Sequence, residues 1–380
     1  MLPETTDVLV VGAGPTGLTV AVSLAGRGFD VTVVDDQAAG DNTSRAAVVH
    51  ARTLEVLEDL GISGRLTALG IHARRFTIRD RDRTLVPVDF DRLPTRYPYT
   101  LMISQAVTER VLLERLAELG GRVARPYRLE SLTQDAEGVT AVLSGGSTVT
   151  ARYLVGADGM HSTVREQAGI EFEGGQYAES FSLADVRLTG GVPDDEVVLY
   201  FSPAGLVVVA PLPDGTHRIV STVDEAPRDP DVAFVQGLLD SRGPRRERAV
   251  VGEVVWGTRF RVHHRVAGTF RAGRVLLAGD AAHVHSPAGG QGMNIGIQDA
   301  TALAEALTVA LSGGQADLDR YTADRRPVAL QVVTFAGRLS GLANVNRSLR
   351  PIRNLVLRIL AISPVFRRRL AWRLSGLVYR

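Results

Sequence analysis

A lone carboxylate, Asp280, follows the short apolar run Val275–Ala278, and a loop with Pro287, Gly289, Gly290 and Gly292 follows it before a helical pattern opens at Met293. More than two hundred residues upstream, Gly12, Gly14 and Gly17 stand at the end of another apolar run, and Asp35 comes 23 positions after Gly12. Uncovered glycine backbone can approach a pyrophosphate, and an acid at this distance can accept from a ribose hydroxyl. The chemistry indicated is the holding of a dinucleotide.

The elements that must position these groups are legible around the first cluster. Val8–Val11 is a continuous apolar run, as expected for a strand buried on both faces. Leu18, Ala21, Val22 and Leu24–Ala25 keep helical spacing after it, and Val31–Val34 is a second apolar strand ending at Asp35. Within Gly12–Gly17 (Gly12, Ala13, Gly14, Pro15, Thr16, Gly17), the first glycine permits the turn, the second the approach of backbone amides, and the third close helix–strand packing. The helix N-terminus adds partial positive charge for phosphate. Asp36 is a neighbouring candidate for the ribose, and either acid could simply cap the strand; position favours Asp35. Gly120-Gly121 and Gly145-Gly146 lack a strand–helix frame, so one resident dinucleotide is expected and any second nucleotide would be a visitor.

Composition excludes several classes. The chain has 380 residues, 45% hydrophobic and 22% charged, with a formal net charge of +1. That is ordinary for a soluble globular protein and gives no reason to expect nucleic acid. It has no cysteine, which excludes disulfides, thiolate metal sites and cysteine nucleophiles. It has no lysine either, which removes Schiff-base chemistry and the P-loop. No uncharged run reaches membrane-spanning length, and the N-terminus lacks a basic start, so a cytoplasmic location is expected.

Further along, Ser44–Leu60 and Ala106–Leu119 have helical spacing, while Gly138–Leu143 and Thr148–Ala151, split by "SGGS", read as a hairpin. Strand patterns dominate Arg74–Asp89 and Phe181–Phe260. Tyr200, Phe201 and His217 are candidate lining residues there, and Arg242–Arg248 reads as a solvated basic loop. After Asp324 there is no acidic residue, and Arg347–Arg380 carries nine arginines among leucines. Terminal helices with arginines in solvent are the plainer reading; a surface for anionic lipid, a partner subunit or an acidic substrate is the sharper one. Carboxylate partners for His263-His264 and His283/His285 are missing or otherwise assigned, so no metal is expected.

Three signals stand together: the glycine triplet with Asp35, "GADGMHSTVR" (Gly156–Arg165) and "LLAGDAAHVHSPAGGQGMN" (Leu276–Asn294). Their order resembles the single-component flavoprotein aromatic hydroxylases, the para-hydroxybenzoate hydroxylase-like family. "ARTLEVLEDLG" and "WGTRFRVHHRVAGTFRAGRVLLAGDAAH" are most similar to its polyketide and pentachlorophenol-type monooxygenases. The resemblance implies an α/β fold, with a discontinuous Rossmann-type FAD-binding domain (1–72, 99–172, 268–345). It also implies an inserted, mostly β substrate domain (73–98, 173–267) and a basic helical C-terminal segment (346–380), without the thioredoxin-like domain of larger members. FAD would be non-covalent, with the AMP half on Gly12–Gly17, Asp35 on the ribose and the Leu129 backbone near the adenine. Arg45 would approach the pyrophosphate, Gln105 the ribityl chain, and Gly279-Asp280 a ribityl hydroxyl. Asp158 would lie on the FAD side. Pro287 to Asn294, with Gly290, Gly292 and Met293, would run beside the isoalloxazine.

The cycle so implied uses NADPH or NADH as transient reductant and O2 as co-substrate. It passes through a flavin C4a-hydroperoxide that a phenol-type or polyketide-like ring attacks, with the Pro287 carbonyl and the Gly290 amide near the peroxide. A Baeyer–Villiger oxygenase, a reductase or dehydrogenase without oxygen insertion, and a degenerate flavin-binding scaffold remain alternatives. A flavin halogenase needs a lysine that this chain lacks. A small aromatic substrate is the expected partner; a homodimer is left open, and a membrane is left open only by the basic C-terminus.

Overall fold

The computed structural model describes residues 2–40, 46–314 and 318–380. Arg45, expected near a pyrophosphate, lies outside the described residues.

Thr5–Val11 is the centre of the first sheet because it is apolar on both faces: Val8, Leu9 and Val10 are wholly buried. It pairs in parallel with Val31–Val34 on one side and Thr148–Gly156 on the other. Val123–Ala124 extends the sheet beyond Val31–Val34, and Val275–Leu277 extends it beyond Thr148–Gly156. The hairpin of Val139–Leu143 with Thr148–Gly156 forms as its sequence indicates. Helix Pro15–Ala25 starts with Gly14 at the N-cap and Pro15 in the first turn, where proline's missing donor costs nothing. The long helix Gly292–Leu311 packs beside it and is a core element, with Ile295, Ile297, Ala300, Leu303 and Leu307 wholly buried.

The second sheet has eight strands, among them Phe172–Thr189 and Val250–Ala267, each of eighteen residues and paired antiparallel with one another. Glu196–Ser202 lies parallel to Arg75–Asp80, which brings the early hairpin Arg75–Asp89 into this sheet. The two faces of the sheet are both covered, by different things. Tyr200, Val198, Val207 and Val209 pack with Val235 and Leu239 of helix Val232–Arg242. Phe201, Leu199, Leu206 and Val208 face a cavity. The alternation is the ordinary two-residue period of a strand.

Two sequence expectations change here. Over the described part of Ser44–Leu60 the expected helix is shorter: Val48–Val49 is a strand and the helix is Ala51–Glu58. The β-branched pair is held by Thr100–Met102, and extended His50 caps the helix instead. Arg242 is not part of a solvated loop. It ends helix Val232–Arg242 with its guanidinium buried, donating to the carbonyls of Leu206 and Thr222, each at 2.7 Å. Arg245 to Arg248 are exposed as read.

Candidate active site

A cavity of about 770 Å³ runs from the glycine turn of the first sheet to the apolar face of the second. Its first end is lined by Val11, Gly12, Gly14, Pro15, Thr16, Asp35, Asp36, Tyr127 and Leu129. The Asp35 carboxylate is held on three sides. It accepts from the amide of Ala13 at 2.7 Å and of Gln37 at 3.0 Å, and pairs with Arg125 at 3.2 Å. Arg125 follows the strand Val123–Ala124, which lies beside Val33–Val34; no motif marks it in the sequence. Ala13 and Gly17 do not line the cavity: Ala13 is buried and orients Asp35, and Gly17 packs against the turn itself.

The middle is lined by Gln105, Asp158, Asp280, Pro287, Gly290, Gly292 and Met293. A Cβ on Gly14 or on Gly292 would meet nothing within 4 Å, so at both ends bare backbone opens onto free space. A large ligand with phosphates and ring carbonyls fits these two cradles, and the positive end of helix Gly292–Leu311 faces the second. The Asp158 carboxyl accepts from Ser162 Oγ at 2.5 Å and from the Val164 amide at 3.1 Å, capping the short helix Thr163–Gln167. Burial raises its pKa, against the pull of Ser162 and Val164.

Two more residues of the expected set sit behind the wall. Gly279 is packed against Thr16, and a Cβ there would stand 2.5 Å from Thr16 Oγ1. Gly296, which sequence reading missed, meets the same hydroxyl at 2.4 Å, so both glycines let the two helices close around Thr16. Asn294 is fully buried and lines no cavity. It donates to the carbonyls of Val48 and Gly290 at 2.9 and 2.7 Å and accepts from the His50 amide at 2.7 Å. His50 Nε2 donates to the Gly289 carbonyl at 2.9 Å, and the Gly290 amide donates to the Pro287 carbonyl at 2.9 Å. The glycine loop is therefore fixed from beneath through Val48 and His50, across 239, 244 and 246 positions of the chain. The Pro287 carbonyl already has one donor and keeps one lone pair.

Burial pushes the His50 imidazole down to about 4 and that of His285 down to about 4 as well. Both stay neutral in the folded protein where the unfolded chain would take up a proton. Their depressed values mean that stability is lost as pH falls from about 6.5 toward 4, roughly 3 kcal/mol for each. Both imidazoles adjoin the glycine loop, so a ligand held by that loop should be released over the same window. Melting temperature followed from pH 7 to 4.5, with and without the ligand, checks this, with His50→Gln flattening the acid limb.

The far end is apolar, with Phe76, Phe181, Phe201, Leu206, Phe260 and Val284 in its wall. Phe181 and Phe260 stack at 5.5 Å between centroids. Arg218 is the buried cation of this chamber, bound to both oxygens of Asp185 at 2.8 and 2.7 Å. Of the three candidate lining residues, Phe201 is in the wall, whereas Tyr200 and His217 face away, one strand position out of phase. His283 does have a carboxylate partner, contrary to the sequence reading. Its Nε2 donates to Asp299 at 2.5 Å, and Arg325 Nε donates to the other oxygen at 2.6 Å. This is a buried ion pair; among the described residues no group of three or more His, Cys, Asp or Glu side chains is placed to hold a metal ion.

A family model described as FAD binding domain matches residues 5–336. The chain belongs to this family of FAD-binding proteins. FAD is thus the ligand that the two cradles and the strand-end acids fit. The chain is 39% identical to 6-methylpretetramide 4-monooxygenase of Streptomyces rimosus, over 91% of this chain and 64% of that protein. It is 35% identical to pentachlorophenol 4-monooxygenase of Sphingobium chlorophenolicum, over 86% of this chain and 63% of that one. The chain thus spans less than two thirds of the length of these relatives. The crystal structure of p-nitrophenol 4-monooxygenase from Pseudomonas putida superposes with a TM-score of 0.87 at 26% identity, covering 99% of each chain. Polyketide and pentachlorophenol monooxygenases are therefore its relatives, as the motif order implies, on the expected Rossmann-type α/β fold.

Proposed function

We propose that the protein is an FAD-dependent, NAD(P)H-consuming monooxygenase that hydroxylates an aromatic, phenolic or polyketide-like small molecule. The observation that carries this reading is the continuity of one cavity from the nucleotide cradle to an aromatic-walled chamber, with the glycine loop between them. Bound FAD supplies electron transfer from the nicotinamide and the activation of O2. The chain's own residues bind, orient and exclude water. Asp35, with Asp36 beside it, would hold the adenosine ribose; Gly12, Gly14, Pro15 and Thr16 the phosphates; Leu129 the adenine; Gln105 and Asp280 the ribityl chain. The amides from Gly290 to Met293 would face the ring, where the helix dipole favours negative charge. Pro287 and Gly290 would contact the reacting oxygen, and the Arg218–Asp185 pair would orient an oxygen substituent of the substrate. Residues 73–98 and 173–267 would form the substrate-side unit and the remainder up to 345 the FAD-binding unit.

The test supplies purified, FAD-loaded protein with NADPH or NADH, O2 and a panel of phenols and anthraquinone-like compounds. At least one aromatic is expected to gain a single oxygen atom by mass spectrometry, only when O2 is present. Oxygen gain by ketones alone, as esters, would make the enzyme a Baeyer–Villiger oxygenase. Anaerobic turnover with no oxygen gain would make it a reductase.

A further inference from the structure

Helix Arg350–Ile362 is packed inside out. Its inner side carries Arg353, Asn354 and Leu357, each less than 10% exposed. Arg353 donates to the carbonyls of Phe201, Leu342 and Ala343 at 2.9, 3.0 and 3.2 Å, and Asn354 donates to Asp80 at 2.8 Å. Its outer side carries Ile352, Leu355, Val356, Ile359 and Ile362, from 47% to 76% exposed. Steps of three, one, three and three residues put these on one face of a helix. Val365, 60% exposed at the start of helix Pro364–Leu374, continues the stripe. A contiguous aliphatic surface of this kind marks an interaction site, whereas scattered exposed leucines do not.

The surroundings of the stripe indicate its partner. Arg347, Arg368 and Arg369 are exposed beside it, Arg358, Arg367 and Arg373 are half-buried, and no acidic residue follows Asp324 in the chain. A second copy docked through the same patch would set these arginines against themselves, since a twofold contact uses the same surface twice. The helix has thirteen residues, hence a length of about 20 Å, too short for a hydrocarbon core of about 30 Å. It bends by 86° from helix Leu318–Ala343. Among the described residues no single helix is long and apolar enough to cross a membrane. The features that remain are those of a basic amphipathic helix lying in a lipid interface.

We infer that this face docks on an anionic lipid bilayer, with Ile352, Leu355, Val356, Ile359 and Ile362 among the acyl chains and the arginines at the headgroups. Helix Pro364–Leu374 also gives Leu370 and Leu374 to the cavity wall, so the docked surface and the cavity share an element. The inference stands on the surface alone and does not depend on which reaction is catalysed.

The test is co-sedimentation of the FAD-loaded full chain with vesicles of phosphatidylcholine alone or with about one third phosphatidylglycerol. Binding is expected to the anionic vesicles, to weaken with salt, and to be far weaker on phosphatidylcholine. The pair Leu355→Glu and Ile359→Glu should lower partitioning at least about tenfold, and Arg368→Gln with Arg369→Gln about fivefold for each charge removed. Retained flavin colour shows that each variant is folded. The inference is overturned if the protein sediments with neither vesicle, or if the glutamates leave binding unchanged. It is equally overturned if lipid-free protein is a dimer that Ile359→Glu dissociates.

Discussion

Gly12→Val is expected to give a chain that no longer retains FAD. Gly12 holds φ at +104°, a region that side chains with a Cβ rarely enter. The added Cβ would stand 2.3 Å from the Ala157 carbonyl oxygen and 2.9 Å from the Asp158 amide nitrogen. Both neighbours are backbone, so neither can swing aside. Backbone strain of about 1–3 kcal/mol would be joined by overpacking of about the same size. The turn would have to open, and with it the alignment of Ala13 with Asp35. Gly14→Ala separates this cause from ligand contact. Its Cβ meets nothing within 4 Å, so the fold should survive while the space for a phosphate shrinks. We expect Gly14→Ala to melt like the parent without flavin and to bind FAD at least about tenfold more weakly. Visible absorbance after reconstitution and the melting curve of the apoprotein check both. A Gly12→Val protein as yellow as the parent would show that this turn does not carry the cofactor.

The legibility of these positions follows from their distance in the chain. The strand, the glycine triplet, the helix and Asp35 lie within about thirty contiguous residues, and a local pattern contains all of them. The support of the second glycine loop does not. Asn294 reaches His50 across 244 positions, and nothing in "VVHARTL" announces a histidine beneath a loop. Gly279 shows a limit of a different kind. It stands inside the motif that the cofactor acid identifies, yet its lack of a side chain serves Thr16 on a neighbouring helix. Tyr200 and Phe201 show another. Strand alternation separates them correctly, but both faces of their sheet are covered, one by helix Val232–Arg242 and one by the cavity, so parity alone cannot tell wall from core. In the C-terminal segment the order of leucines and arginines is plain in the sequence, but which side points inward is not. Arg353 is buried because it meets three carbonyls supplied by Phe201, Leu342 and Ala343, all of them on two other elements.

Asp299→Ala should be strongly destabilising, on a par with Gly12→Val. Asp299 is wholly buried, between His283 at 2.5 Å and Arg325 at 2.6 Å. Removing it leaves the Arg325 guanidinium, 8% exposed, with no counter-charge, a loss of about 3–5 kcal/mol for buried pairs of this kind. For a chain of this size that corresponds to about 4–6 °C in Tm. Asp299→Leu with Arg325→Met removes both charges, and should cost much less than the sum of the two single changes. The pH dependence has a definite sign. Burial by itself would raise the Asp299 pKa, but Arg325 and His283 outweigh it and hold the carboxyl below its usual range. A carboxylate depressed on folding gives stability that is complete above its unfolded value, about 3.9, and is lost as pH falls through the folded one. The gap between parent and Asp299→Ala should therefore be full at pH 7 and unchanged at pH 5, and it should narrow only below about pH 4. The loss assigned to His50 and His285 falls higher, between about 6.5 and 4, and should appear equally in both proteins. Melting curves of parent, single and double variants across that range distinguish the two. A gap that already closes near pH 6 would mean that Asp299 is not held as an anion by Arg325.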